Sequence, residues 1–276
     1  MENHKYLQSL QTLEALCQMA TRLSLDTSGR TDATWREKYG SHIFGKICMT
    51  AIAILKLLPK SRFNVAVNNM EIWDISSVCT LARSLIDAYY SFNYLIIEKV
   101  DKHELGFRFT LWSLHSESER LKMLELIKST SNKLDEIRKN IEELTRKLRS
   151  NKFYKSLDSK AQKKFSSGEI GIFLTNTQIS KNAGVNPNYY KAVYKYLSNY
   201  VHTYSFSISQ IALFKAGDLE SLRLLQTAVG YCTGYLCLAI RDFTKLFPDQ
   251  RSNLSIDIIE TIKDWEYIVG SGELNR

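Results

Sequence analysis

The stretch YYKAVYKYLSNYVHTYSF, residues 189–206, sets His202 three and four positions after Asn199 and Ser198. On a helix these three side chains share a face. Imidazole changes charge near neutral pH. A histidine flanked by a hydroxyl, an amide and the ammonium groups of Lys191 and Lys195 can do general acid–base work on a phosphodiester. The plainer alternative is a partly buried histidine hydrogen-bonded to a neighbouring helix. The opposite face (Tyr190, Val193, Tyr194, Leu197, Tyr200, Val201 and Tyr204) has the helical period of a core stripe.

Arginines supply the anion-holding half of such chemistry. Arg83 stands one helical turn from Asp87, inside an otherwise uncharged run. That placement predicts a mostly buried Arg83 paired with Asp87, because a buried charge needs a partner. Arg108 and His115 lie two turns apart, on one face of the next helix. Arg36 and His42 repeat the loose spacing. Between 146 and 164 stand Arg146, Lys147, Arg149, Lys152, Lys155, Lys160, Lys163 and Lys164, against the single acid Asp158. This run suits the phosphates of a nucleic acid, or else is a solvated helix end. No phosphate-binding glycine loop, dinucleotide fingerprint, zinc-protease HExxH, nucleophile elbow or calcium loop occurs, which disfavours those enzyme classes. Cys17, Cys48, Cys79, Cys232 and Cys237 form no CxxC pair and read as buried free thiols of a reducing cytoplasm. Nothing in the residue pattern asks for a metal or a cofactor.

The elements that must position these groups read as helices. The 276 residues hold only 3 Pro and 12 Gly, with 44% hydrophobic and 24% charged residues, as in a globular all-α chain with a real core. Residues 71–98 are apolar around nearly the whole circumference and predict the central buried helix. Amphipathic periodicity predicts helices over 3–24 and 35–58, with Pro59 as the stop and Thr31 or Asp32 as a cap. A connector of weak strand character is expected at 61–69. One long helical pattern runs over 102–149. Its second half sets Leu134, Ile137, Ile141, Leu144 and Leu148 at alternating steps of three and four, a short coiled-coil seam or a half-exposed packing face. Further helices are expected at 188–204, 218–247 and 255–269. Residues 175–197 have the outline of a helix-turn-helix, but the second helix presents tyrosine rather than polar groups to a DNA groove. The start MENHKYLQSL lacks the apolar stretch of a signal peptide. The apolar run 49–58 is too short to span a bilayer.

Three blocks taken together, LARSLIDAYYSFNYL (81–95), FRFTLWSLHSESERLKML (107–124) and QISKNAGV with YKYLSNYVHTYS (178–205), resemble a bacterial family of all-helical proteins of unknown function. By that resemblance Arg83, Arg108, His115, Ser198 and His202 occupy its recurring polar positions. More distantly the chain is similar to HEPN domains of toxin–antitoxin and antiviral-defence proteins. Many of these are metal-independent ribonucleases that use an arginine and a histidine a turn or so apart on one helix, often across a dimer. This chain departs from that pattern, since Leu197 stands five residues before His202.

The expectation is therefore a single all-α domain over 1–276, about seven helices around 71–98. Residues 120–165 form a protruding basic arm and 150–188 an irregular excursion. The protein is expected to be bacterial, cytoplasmic, homo-oligomeric and without a membrane span. It would engage RNA and cut it with His202 or His115, helped by Arg83, Arg108, Ser198 and Asn199. The alternative is a non-enzymatic scaffold that binds a protein partner through the seam at 134–148.

Overall fold

The computed structural model describes residues 2–64, 71–130 and 132–273, and Glu2 and Asn3 through their backbone only. The fold is all-α, and no strand occurs among the described residues. The expected connector at 61–69 falls partly outside them. Where one domain was expected, packing divides the chain into two compact units, 1–97 with 176–276, and 98–175.

The first unit begins with α1 (Glu2–Thr27) and α2 (Trp35–Leu57). Thr34, rather than Thr31 or Asp32, caps α2 in a reciprocal box with Glu37. By length and composition α2 could cross a membrane. Phe44, Ile47, Cys48, Ala51, Ile54 and Leu55 of that helix are buried and it packs on α1 and α3, as a core helix does. The expected central helix is α3 (Ile75–Phe92), capped by Asp74 and continued by a π-helical turn, Asn93–Ile97. It packs against α2, α9 and α11. Its enclosure is incomplete, because Thr80 and Asp87 are exposed and Arg83 between them is half-buried. These three residues form a stripe at steps of three and four. The chain re-enters the unit with α8 (Asn176–Asn182), α9 (Pro187–Val201) and α10 (Ser205–Leu213). It ends with α11 (Leu219–Leu246), a 3₁₀ turn (Pro248–Asn253) and α12 (Ile256–Ser271). The most enclosed helix is α11, buried continuously from Tyr231 to Ile240. Its charges sit near its two ends, so the middle can be packed on every side. A Cβ at Gly234 would lie 2.9 Å from Trp265, which is how closely α12 approaches.

The second unit has its own core. The single helix expected over 102–149 is two, α4 (Lys102–Leu126) and α5 (Lys133–Ser150), with Lys128 at φ 50° in the break. These pack along each other. The excursion expected at 150–188 contains three short helices: α6 (Lys152–Ser156), α7 (Ser159–Phe165) and α8, which belongs to the first unit. Phe107, Leu111, Leu114, Leu148, Tyr154 and Phe165 are the buried cluster of the second unit, and Ile141, Leu144 and Phe173 pack on it. The 134–148 seam is thus spent on the unit's own core. Residues 120–165, expected as an arm, supply about half of that core.

Candidate functional site

Arg83 and His202 meet. The Arg83 Nη1 lies 3.3 Å from His202 Nε2. Guanidinium has no acceptor, so in a hydrogen bond across this contact Arg83 donates and Nε2 accepts. The other Arg83 terminal nitrogen donates to the Tyr194 hydroxyl. The guanidinium carbon stands 4.4 Å from the Tyr194 ring centroid. Asp87, a turn away, is a long 3.9 Å from Arg83 Nε. The pairing foreseen for Arg83 therefore exists but is loose. Arg83 is also less buried than foreseen, with its side chain 20% exposed and that of Asp87 49%. His202 itself is exposed.

Local sequence explains the placement. Packing of α3 on α9 joins Tyr90 to Tyr190, edge to face with centroids 5.3 Å apart. Buried Tyr189, Val193, Leu197 and Tyr200 hold the other side of α9 in the core. His202 is the C-terminal cap of α9, with φ −102°. Thr203 follows at φ 53°, and the Tyr204 amide donates to the Asn199 carbonyl at 3.2 Å. That is a Schellman turn, whose left-handed residue is usually glycine. A β-branched residue there is strained, and the strain adjoins the candidate histidine.

Ser198 and Asn199 do not join the pair. The Ser198 hydroxyl donates to the Tyr194 carbonyl at 2.6 Å, and the Asn199 amide to the Lys195 carbonyl at 2.7 Å. Both side chains turn back on their own helix. Tyr194 was assigned to the apolar stripe by the sequence, yet it falls in the same four-residue row as Ser198 and His202. That row was the available signal.

Arg108 and His115 lie in the second unit and serve its structure. Arg108 is 1% exposed. It donates to Glu98 at 2.6 Å and to Glu104 at 3.0 and 2.5 Å. Its guanidinium also covers Phe173 at 5.6 Å. His115 Nδ1 donates to the Gly168 carbonyl at 3.0 Å. Gly168 has φ +76°, and a Cβ there would lie 2.1 Å from the Ser118 hydroxyl. His115 thus pins a turn that only glycine can make. The eight basic residues of 146–164 are all exposed, and none of them makes an ion pair among the described residues.

A charged cluster in the first unit escaped the sequence reading. Asp242, 0% exposed, accepts from Arg241 Nε at 2.8 Å and Nη2 at 2.9 Å. It also accepts from Lys245 at 2.9 Å and the Tyr89 hydroxyl at 3.1 Å. Arg241 Nη1 reaches Glu266 at 2.9 Å. Burial alone would lower the Arg241 pKa, but the hydrogen bond and charge of Asp242 outweigh it and hold it above the ordinary value. Burial, and then the Asp242 charge, raise the Tyr89 hydroxyl well above its ordinary range. The signal was the adjacent pair Arg241 and Asp242 at the end of a charge-free apolar run.

The helices and the Arg83–His202 pair define an all-α protein with a solvent-open guanidinium–imidazole contact. The chain belongs to DUF5677, a family of unknown function, whose model matches residues 37–218. No curated protein and no solved structure matches the chain. The matched stretch contains Arg83, His202 and the basic run, and stops before Arg241.

Proposed function

We propose that this protein engages RNA and cleaves it without a metal, using His202 as proton carrier and Arg83 as phosphate-holding group. The observation that carries the reading is the 3.3 Å contact between Arg83 and His202, open to solvent on one side. Once the incoming phosphate draws the Arg83 guanidinium off Nε2, that nitrogen would take the proton of a ribose 2′-hydroxyl as the oxygen attacks the adjacent phosphorus. The 5′-oxygen of the next nucleotide then leaves, takes a proton from water and leaves a 2′,3′-cyclic phosphate. Arg83, steadied by Tyr194, faces the charge that grows on the non-bridging oxygens. The exposed basic run supplies phosphate contacts that need no sequence. The distant likeness to HEPN domains supports the same chemistry, a cytoplasmic bacterial setting and a role in toxin–antitoxin or antiviral defence. In this chain the two groups come from different helices.

The test is degradation of total RNA in the presence of EDTA. His202→Ala should slow it by about 10²–10⁴-fold, the range for loss of a general acid–base group. Arg83→Ala should also slow it, and His202→Gln should not restore it. Degradation unchanged in both alanine variants sinks the proposal.

One observation favours the second reading, a non-enzymatic interaction module or homo-oligomer. Beside His202, Tyr204, Phe206, Ile208, Ile211 and Leu213 are 40–72% exposed. A run of exposed apolar residues of this kind marks interaction surfaces. Light scattering on the wild type and on Ile208→Lys checks it. A monomer in both cases removes this support.

A further inference from the structure

We propose that the first unit carries a binding pocket for an organic phosphate monoester where the end of α11 meets α12. The cavity has a volume of about 470 Å³ and is lined by Arg241, Lys245, Arg251 and Lys263, with Glu266 as the one acid. That volume falls in the range of small-molecule sites. Leu254 and Ile262 give it an apolar wall.

The charge balance sets the ligand class. Four cations face the cavity, and Asp242 and Glu266 neutralise two of them. Two positive charges are left over. Neither Arg251 nor Lys263 makes an ion pair among the described residues, although carboxylates are plentiful on α12. Lys245 complements the carbonyl end of α11, and Arg251 stands in the last turn of the 3₁₀ segment. Lys263, in the middle of α12, has no such role. A phosphate monoester carries a charge of about −1.5 to −2 at neutral pH, which matches the surplus.

The donors are already placed. Asp242 and Glu266 hold the Arg241 guanidinium with its side chain 18% exposed. The bonds at Nη1 leave one of its hydrogens free, and those at Lys245 Nζ leave two. Such a group loses little freedom when it binds. A free phosphate would use the cations alone, whereas an ester carrying a heterocyclic or aliphatic body would also use the wall of Leu254 and Ile262. The second fits the lining better. This site lies outside the family match and does not depend on the ribonuclease reading.

Calorimetric titration of the full chain at low salt tests it, with a nucleoside 5′-monophosphate, inorganic phosphate and the unphosphorylated nucleoside as probes. The monophosphate should bind saturably, at least about tenfold tighter than inorganic phosphate, and the nucleoside alone should not saturate. The double variant Arg251→Ser, Lys263→Ser changes exposed side chains and should melt as the wild type does. It should weaken the monophosphate tenfold or more, while His202→Ala leaves binding unchanged. Three results overturn the site: no saturable binding of either phosphate at millimolar concentration, undiminished binding in the double variant, or loss of binding in His202→Ala instead. Inorganic phosphate binding as tightly as the monophosphate overturns the role of the apolar wall.

Discussion

Arg83 and His202 stand 119 positions apart in the chain and touch because α3 packs on α9. The residue that follows His202 is Thr203, held in the left-handed region at φ 53°. That conformation costs an ordinary residue roughly 1–2 kcal/mol and costs glycine almost nothing. Thr203→Gly should therefore raise stability by about 1 kcal/mol in denaturant unfolding. A loss of stability would show that the threonine side chain does more than tolerate the turn. The two arginines singled out by sequence exchange their expected roles. Arg83 lies at an edge, and Arg108 is the buried ion-paired one. Arg108→Ala strands Glu98 and Glu104 and should cost roughly 3–5 kcal/mol, the range for breaking a buried pair. Arg83→Ala should cost well under that, since its Asp87 partner is half in solvent. A larger loss at Arg83 than at Arg108 in matched melts would reverse this assignment. Sequence could list Arg83, Arg108, His115 and His202 as the polar positions worth watching. It could not sort them, because sorting depends on which carboxylate or carbonyl the fold brings alongside.

Element by element, periodicity carried the helices and missed their punctuation. The apolar rhythm of 102–149 continues past the end of α4 into α5, although Lys128 between them takes a positive φ that no residue type announces. Once broken, the chain doubles back and α5 lays its seam on α4. A coiled-coil seam and a hairpin's inner face have the same spacing, so the pattern alone could not choose between an outside partner and the unit's own core. Leu148, fully buried among Phe107, Leu111 and Leu114, decides the matter experimentally. Leu148→Ala should cost about 2–5 kcal/mol, as large-to-small core changes do. A shift within error would put the seam back on the surface. A tie between elements gives a pH signature. Arg30, after α1, donates to both oxygens of Asp249 on the 3₁₀ turn, at 3.2 and 2.5 Å. The Arg30 hydrogen bonds, and then Gln250, hold the Asp249 carboxyl down at about 2. A depressed acid contributes stability above its unfolded pKa of about 3.9 and loses it as pH falls through the folded value. The melting difference between wild type and Asp249→Asn should thus be present at pH 7 and shrink between about pH 4 and pH 2. A difference that stays constant across that window would mean the ion pair is not its source.

At the scale of the whole molecule, two compact units divide the chemistry. One carries the Arg83–His202 pair and the buried Asp242 cluster, and the other carries the eight unpaired cations of 146–164. The all-α class was legible from 3 Pro, 12 Gly and the helical periods. The division was not, because the second unit is a single insertion entered and left through short irregular segments, at 98–101 and 166–175, of the kind that also join helices within one unit. The net charge of +8 rests largely on that basic stretch. Each phosphate held by a lysine or arginine releases counterions, so log affinity falls with log salt at a slope of about −0.7 per contact on single strands. Replacing Lys152, Lys155, Lys163 and Lys164 by serine changes exposed side chains only and should leave the fold alone. If all four touch RNA, filter retention should weaken and the slope should become shallower by about 3. Retention and slope both unchanged would take the basic stretch out of RNA binding, leaving it a solvated face and leaving Arg83 and His202 to hold any nucleic acid unaided.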